Sequence, residues 1–205
     1  MGSVNGVDQR YRIIVEHLDS ELEDWQALEY KCIARECSAN GWSFVLSGLS
    51  SPAETKQQLG LPATSLTQQG VESLFSTAEE RQQVCLLDPR GSQDLAPEDG
   101  EKFKVFLFGG ILGDDPPRDR TGELRRIGFP GRKLGPEQMT TDTAARVTRM
   151  VIQDKVRLQD IQYVNRPELN LSATKGEDAT NASESVSMPF KYVKGQDGAP
   201  VMPEV

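Results

Sequence analysis

The stretch Phe103-Lys104-Val105-Phe106-Leu107-Phe108, followed at once by Gly109-Gly110-Ile111-Leu112-Gly113-Asp114-Asp115-Pro116-Pro117-Arg118, constrains this chain more than any other. An almost unbroken run of aromatic and branched residues suits a strand buried on both faces, and the glycines end it abruptly. The loop that follows combines close backbone approach at Gly109, Gly110 and Gly113 with a stiff Pro116-Pro117 exit and the charges of Asp114, Asp115 and Arg118. A charged, rigid loop at the carboxyl end of a strand is where open α/β sheets bind ligands. An isolated loop of this kind is as easily an ordinary turn. Here two others accompany it: Val84-Cys85-Leu86-Leu87 runs into Asp88-Pro89-Arg90-Gly91, and Arg132-Lys133-Leu134-Gly135-Pro136 leads into a helix.

The remaining elements place these loops in an α/β fold. Tyr11 to Glu16 reads as a strand, Glu21 to Asn40 as a helix with Trp25, Leu28, Cys32 and Ile33 on one face, and Trp42 to Leu46 as a second strand. This βαβ start implies a parallel pair. Arg81 to Leu87 contains the third strand and Phe103 to Phe108 the fourth. Arg132 to Leu134 is a short last strand. Thr121 opens a short helix, and Thr141 to about Gln153 is the clearest helix, with Ala144, Val147, Met150 and Val151 as its apolar stripe. Residues 1–10 read as a flexible leader, 11–171 as one domain, the polar segment 172–187 as a disordered insertion, and 188–205 as a tail laid on the domain.

Charge and cysteine usage narrow the function classes. With 23 basic against 31 acidic residues the formal charge is -8, opposite in sign to the usual nucleic-acid binder and suited to a basic partner. Cys32, Cys37 and Cys85 have no paired metal-binding spacing, so no metal is expected and the thiols read as reduced and structural. No apolar run is long enough for a membrane span, which makes the cytoplasm the default compartment. His17 is the only histidine, and no nucleophile motif accompanies it.

Taken in order, Ile14-Val15-Glu16-His17, Val84 to Pro89, Phe108 to Asp114, Pro116 to Thr121, Leu134-Gly135, Gln138 to Ala144 and Met188 to Val193 resemble the SPOUT class of S-adenosylmethionine-dependent methyltransferases. Within it they are most similar to the fungal protein arginine methyltransferases that modify a small-subunit ribosomal protein. The resemblance implies a deep C-terminal trefoil knot formed by about 84–153, a mostly parallel sheet flanked by helices, and S-adenosyl-L-methionine bent among three loops. The implied cofactor residues are Leu87 and Asp88 in the first loop, Phe108, Gly109, Gly110, Ile111 and Gly113 in the second, and Leu134, Gly135, Gln138, Met139, Thr140 and Thr141 in the third. Leu87, Phe108, Ile111, Leu134 and Met139 have the apolar character of an adenine slot. The threonines either hydrogen-bond the cofactor or cap the following helix.

Methyl transfer to arginine needs a carboxylate, because a guanidinium with a pKa above about 12 is a poor nucleophile until it is oriented and relieved of a proton. Asp114 is the first candidate, with Glu16 and Asp142 as supporting carboxylates. Glu16, His17, Asp115, Arg118 and Glu137 are the candidate substrate-binding residues. The expected partner is a basic ribosomal protein, with no stable nucleic-acid binding, and the expected state is a monomer whose tail takes a second subunit's place. The rival readings are an RNA methyltransferase of the same class and a non-catalytic binding module.

Overall fold

The computed structural model describes residues 10–19, 21–110, 119, 121–171 and 184–203. In chain order the elements are β1 (Arg12–Glu16), α1 (Asp24–Ala39), β2 (Ser43–Ser47), α2 (Pro52–Leu59), α3 (Val71–Leu74), α4 (Ala78–Arg81), β3 (Val84–Leu87) and α5 (Asp99–Lys102). They continue with β4 (Val105–Gly109), α6 (Thr121–Ile127), β5 (Gly131–Arg132), α7 (Thr141–Ile152), β6 (Tyr163–Asn165), β7 (Glu168–Leu171), β8 (Glu184–Ser187) and β9 (Lys191–Val193). The main sheet has the order β2-β1-β4-β3-β5, and every neighbouring pair is parallel.

Alternation along the central strands divides the core between the two faces of the sheet. Ile13 and Val15 of β1, Phe106 and Phe108 of β4, and Cys85 and Leu87 of β3 pack with Tyr30 and Ile33 of α1 and Val147 and Val151 of α7. The intervening Ile14, Leu107, Val84 and Leu86 pack on the other face with Val71 of α3, Leu124 of α6 and Phe129. Strands buried on both sides are why β1, β3 and β4 read as continuous apolar runs. Because they are parallel, Glu16, Leu87 and Gly109 all finish at one edge, and their loops emerge together.

Some boundaries differ from the sequence reading for local reasons. The α1 helix starts at Asp24 rather than Glu21 because the Gln26 side chain accepts a hydrogen bond from the Glu23 N–H at 3.0 Å, closing the first turn there. β3 begins only at Val84, since Thr77 and Glu80 cap each other and turn residues 78–81 into α4. The short strand expected over Arg132 to Leu134 lies one residue earlier, at Gly131–Arg132. The α2 helix escaped the sequence reading although Pro52 opens it and Gly60, at φ +67, closes it.

The segment 172–187 is corrected in part: Glu184–Ser187 is β8, paired antiparallel with β7 through backbone hydrogen bonds, which a largely polar composition does not prevent. The rest of that segment lies outside the described residues, as does most of the 1–10 leader. β9 pairs antiparallel with β6, and Lys191 forms a single bridge to Met139, so the C-terminal segment lies against the loop that follows β5. Among the described residues no helix is long and apolar enough to cross a membrane, and no group of metal-ligating side chains converges.

Candidate active site

The first loop leaves β3 as a tight turn in which the Gly91 N–H donates to the Asp88 carbonyl at 2.8 Å and the Arg90 N–H donates to Asp88 Oδ1 at 2.9 Å. Asp88 is 3% exposed, a costly position for a carboxylate unless it is paired. Arg125 of α6 supplies the pair, donating from Nε to Oδ2 at 2.6 Å and from Nη2 to Oδ1 at 2.8 Å. The second loop begins at Gly109 and Gly110, where the Gly110 N–H donates to the Glu16 carbonyl at 2.8 Å. The third runs from Leu134 to Thr140, and the Thr141 N–H at the start of α7 donates to Glu29 Oε2 at 3.2 Å.

Between the three loops lies a cavity of about 320 Å³. Leu87, Phe108, Leu134, Met139 and Ala144 form its apolar wall. Gly109, Gly135, Pro89 and Pro136 also line it, together with the polar residues Asp88, Arg90, Asp119, Thr121, Glu137, Gln138 and Thr141. A flat apolar slot edged by backbone donors and acceptors is the shape a heteroaromatic base requires.

Nearly all of the expected cofactor residues within the described part of the chain are thus brought together. Gly110 and Thr140 are the exceptions. A Cβ on Gly110 would come within 3.0 Å of both the Glu16 carbonyl and the Tyr30 hydroxyl, so this glycine serves packing against β1. The Thr140 hydroxyl is buried and lies 2.9 Å from that of Thr143, which leaves it at the start of α7 and off the cavity wall. Ile111, Gly113, Asp114, Asp115 and Arg118 lie outside the described residues.

The expected carboxylates are distributed differently. Glu137 lines the cavity and sits 3.5 Å from Lys191 Nζ, whose ammonium also lies 4.3 Å from the ring centre of Tyr163. Glu16 does not line it. Its carboxylate takes hydrogen bonds from the Ser47 hydroxyl and, at 3.2 Å, from the Val71 N–H, which ties the end of β1 to the start of α3. Burial pushes its pKa up, against those two hydrogen bonds.

Asp142 is also off the cavity wall, in the interior behind Thr141 with its side chain 1% exposed and Arg146 Nη1 3.8 Å away. Thr140 and the Thr143 N–H favour its charged form, but neither makes a well-aligned hydrogen bond to it, and burial raises its pKa. His17 is buried and shares a hydrogen bond with the Tyr30 hydroxyl at 3.2 Å through Nδ1.

Several site residues escaped the sequence reading. Glu29 lies in the middle of α1 with nothing local to mark it. It is fully buried, receives the Trp25 indole N–H at 2.9 Å and the Thr141 N–H, and burial together with nearby Asp142 pushes its pKa up to about 8. Asp119 and Arg90 stand inside the motifs quoted above, yet only folding shows that both reach the cavity. Gly91 is a packing point between the first and third loops. A Cβ there would lie 2.9 Å from the Arg132 carbonyl carbon and 3.0 Å from the Lys133 nitrogen, both backbone atoms that cannot give way. Gly91→Ala is expected to cost about 1–3 kcal/mol and to force the two loops apart. Thermal unfolding checks it, and an unchanged midpoint would show that the loops relax freely.

Comparison with known proteins agrees with this geometry. The profile of a family described as SFM1-like protein arginine N-methyltransferase matches residues 12–205. Protein arginine N-methyltransferase SFM1 of Saccharomyces cerevisiae is 40% identical over an alignment of 205 positions that covers 94% of this chain and 91% of the yeast protein. The crystal structure of yeast SFM1 complexed with SAM superposes with a TM-score of 0.79 at 37% identity, covering 97% of this chain and 89% of that one. The complex of the same enzyme with SAH gives 0.77 at 37% identity, over 94% and 91%. Trm10 of Thermococcus kodakaraensis, at 13% identity and a TM-score of 0.54 over 72% of this chain, shares the fold. The parallel sheet flanked by helices is accordingly the SPOUT-type α/β architecture. With its profile matched from β1 to the last residue and 40% identity to the yeast enzyme, the chain belongs to the SFM1-like family of protein arginine N-methyltransferases.

Proposed function

We propose that this chain binds S-adenosyl-L-methionine in the three-loop cavity and monomethylates one arginine of a small-subunit ribosomal protein. The observation that carries this reading is the cavity itself. Its volume of about 320 Å³ is in the range of small-molecule sites, and its apolar wall ends in charged residues at the mouth. The residues suit the cofactor: Leu87, Phe108, Leu134 and Met139 would hold the adenine, with Gly135 and Gln138 at its polar edge and Thr141 beside the polar chain. When bound, S-adenosylmethionine supplies a methyl group made electrophilic by its sulfonium.

The chain's own task is alignment and proton removal. An arginine side chain must be held with one nitrogen in line, and that nitrogen must lose a proton as its bond to carbon forms. Asp114 is the proposed acceptor and Asp115, Arg118 and Glu137 the proposed substrate contacts. Glu16 and Asp142, both away from the cavity wall, support it from behind. Glu16 anchors the end of β1, and Asp142 belongs to the buried group under the third loop. The proposed setting is a cytoplasmic monomer with the trefoil knot of the SPOUT class. The packing of β9 against the third loop supports a tail that takes a second subunit's place.

The test is transfer of labelled methyl from S-adenosylmethionine into an extract lacking this activity, divided by nuclease and protease treatment. Label that survives nuclease, is lost to protease and hydrolyses to monomethylarginine is the expected result, with Asp114→Ala losing most of it. Label in RNA would overturn the reading in favour of a nucleic-acid substrate.

A further inference from the structure

Asp119 lines the cavity, and the position of its carboxylate is set by the chain around it. The Asp119 carbonyl accepts the Gly122 N–H at 3.1 Å, and the side chain folds so closely over Gly122 that a Cβ there would lie 2.9 Å from Oδ2. Arg125 then fixes the carboxylate from one side, donating from Nη1 and Nη2 at 3.2 Å each while its other edge is held by Asp88. These hydrogen bonds hold the Asp119 pKa below the ordinary carboxylate value, so the group is a fixed negative charge at neutral pH.

Arg125 is one cation shared by two carboxylates, Asp88 and Asp119. Among the described residues Asp119 draws further positive charge from the ion pair with Arg90 and, without a contact, from Arg126. Arg125 and Arg90 are held very differently. Arg125 is clamped by paired contacts to both carboxylates. Arg90 is 68% exposed and reaches Asp119 by a single ion pair, Nη1 to Oδ2 at 2.9 Å. An exposed pair of this kind is weak and readily exchanged. Asp119 Oδ2 therefore meets a second guanidinium, loosely held, beside the place proposed for the methyl donor.

We infer that Asp119 is the carboxylate that receives the substrate arginine, and that Arg90 is an internal stand-in that the substrate guanidinium displaces. This deepens the arginine methyltransferase reading and rests on it for the identity of the incoming group. Asp119 orients the guanidinium and does not take its proton, since Arg125 keeps it ionised and weakly basic. Arg90 is a built-in competitor, and a lysine or other cation gains less from the exchange than a planar guanidinium does.

The experiment measures binding and turnover separately. A fluorescein-labelled glycine-rich peptide with a single arginine, and the same peptide with lysine in its place, are titrated by anisotropy with the full chain at saturating S-adenosylhomocysteine. The proteins are wild type, Arg90→Gln, Asp119→Asn and the double variant. Removing the competitor is expected to tighten the arginine peptide about three- to fivefold, and Asp119→Asn to weaken it about tenfold or more. In the double variant the gain from Arg90→Gln disappears, because there is no longer a carboxylate to compete for. The lysine peptide changes less in every case.

Arg90→Gln alters an exposed side chain, so its result stands even if Asp119→Asn loosens α6. Equal or weaker arginine binding in Arg90→Gln overturns the inference. So does a gain that persists in the double variant, or no binding to either wild type or Arg90→Gln. Failure of the wild type to methylate arginine in protein, with the binding pattern intact, would overturn the methyltransferase reading and leave the inference standing.

Discussion

Arg125→Ala is expected to destabilise the protein by about 3–5 kcal/mol, the cost of stranding a buried charge. Asp88 is 3% exposed, and its carboxylate would keep only the Arg90 N–H at 2.9 Å after losing both contacts from Arg125. The strain of the stranded carboxylate then falls on the first loop and on α6. Asp119 loses its two contacts from Arg125 in the same step, which couples the loss of stability to a loss of substrate orientation. Denaturant unfolding of wild type, Arg125→Ala, Asp88→Asn and the double variant is the measurement. The double variant is expected to be more stable than Arg125→Ala, because it removes the stranded charge together with its partner. A single-variant loss under about 1 kcal/mol would show that water reaches Asp88.

The second large effect is a dependence of stability on pH that originates in the interior under the third loop. Glu29 has a pKa near 4.5 in the unfolded chain and about 8 in the fold, raised first by burial and then by the charge of Asp142. A raised value means that the native state keeps its proton where the unfolded chain has lost it. The contribution is fully present below about pH 4.5 and declines as pH rises toward about 8. Asp142 is shifted in the same direction, also by burial, and adds to the decline.

A shift of this size corresponds to a few kcal/mol, about 5 at most, between the two ends of the window. Glu29→Gln is expected to flatten this slope. It also loses one acceptor, because Oε1 and Oε2 now serve the Trp25 indole and the Thr141 N–H separately and an amide can serve only one of them. The variant is therefore expected to be less stable than wild type near pH 5 and to approach or overtake it near pH 8. Unfolding midpoints across that range decide the matter, and parallel curves for the two proteins would show that Glu29 does not carry the dependence.

These two predictions concern residues that sequence patterns do not mark as a pair. Asp88 and Arg125 are 37 residues apart, and Glu29 and Thr141 are 112 apart. By contrast, the strands that carry the site were legible, because apolar runs such as Val105 to Phe108 have few alternatives to burial on both faces of a sheet. The first and third loops, and the point at Gly109 where the second begins, were legible for a related reason. Glycine and proline punctuation after an apolar run reports a local backbone requirement, and parallel strands deliver such loops to one edge. Glu16 and Asp142 were legible as acidic residues near the site. Their placement off the cavity wall was not, since the Val71 N–H that takes Glu16 and the α1 interior that faces Asp142 come from distant parts of the chain.

By itself, then, the sequence determined the strands of the main sheet, the α1 and α7 helices, the first and third loops and, through its ordered motifs, the family resemblance. Each of these depends on side-chain period, local backbone preference or residue identity, which are properties of short segments. Only the tertiary structure decided which carboxylates face the cavity, that Arg125 is spent on Asp88 and Asp119, and that Arg90 also reaches Asp119. Burial and charge pairing depend on distances between segments that the fold alone brings together. The energy of a charge is set by those distances and by its exposure to water.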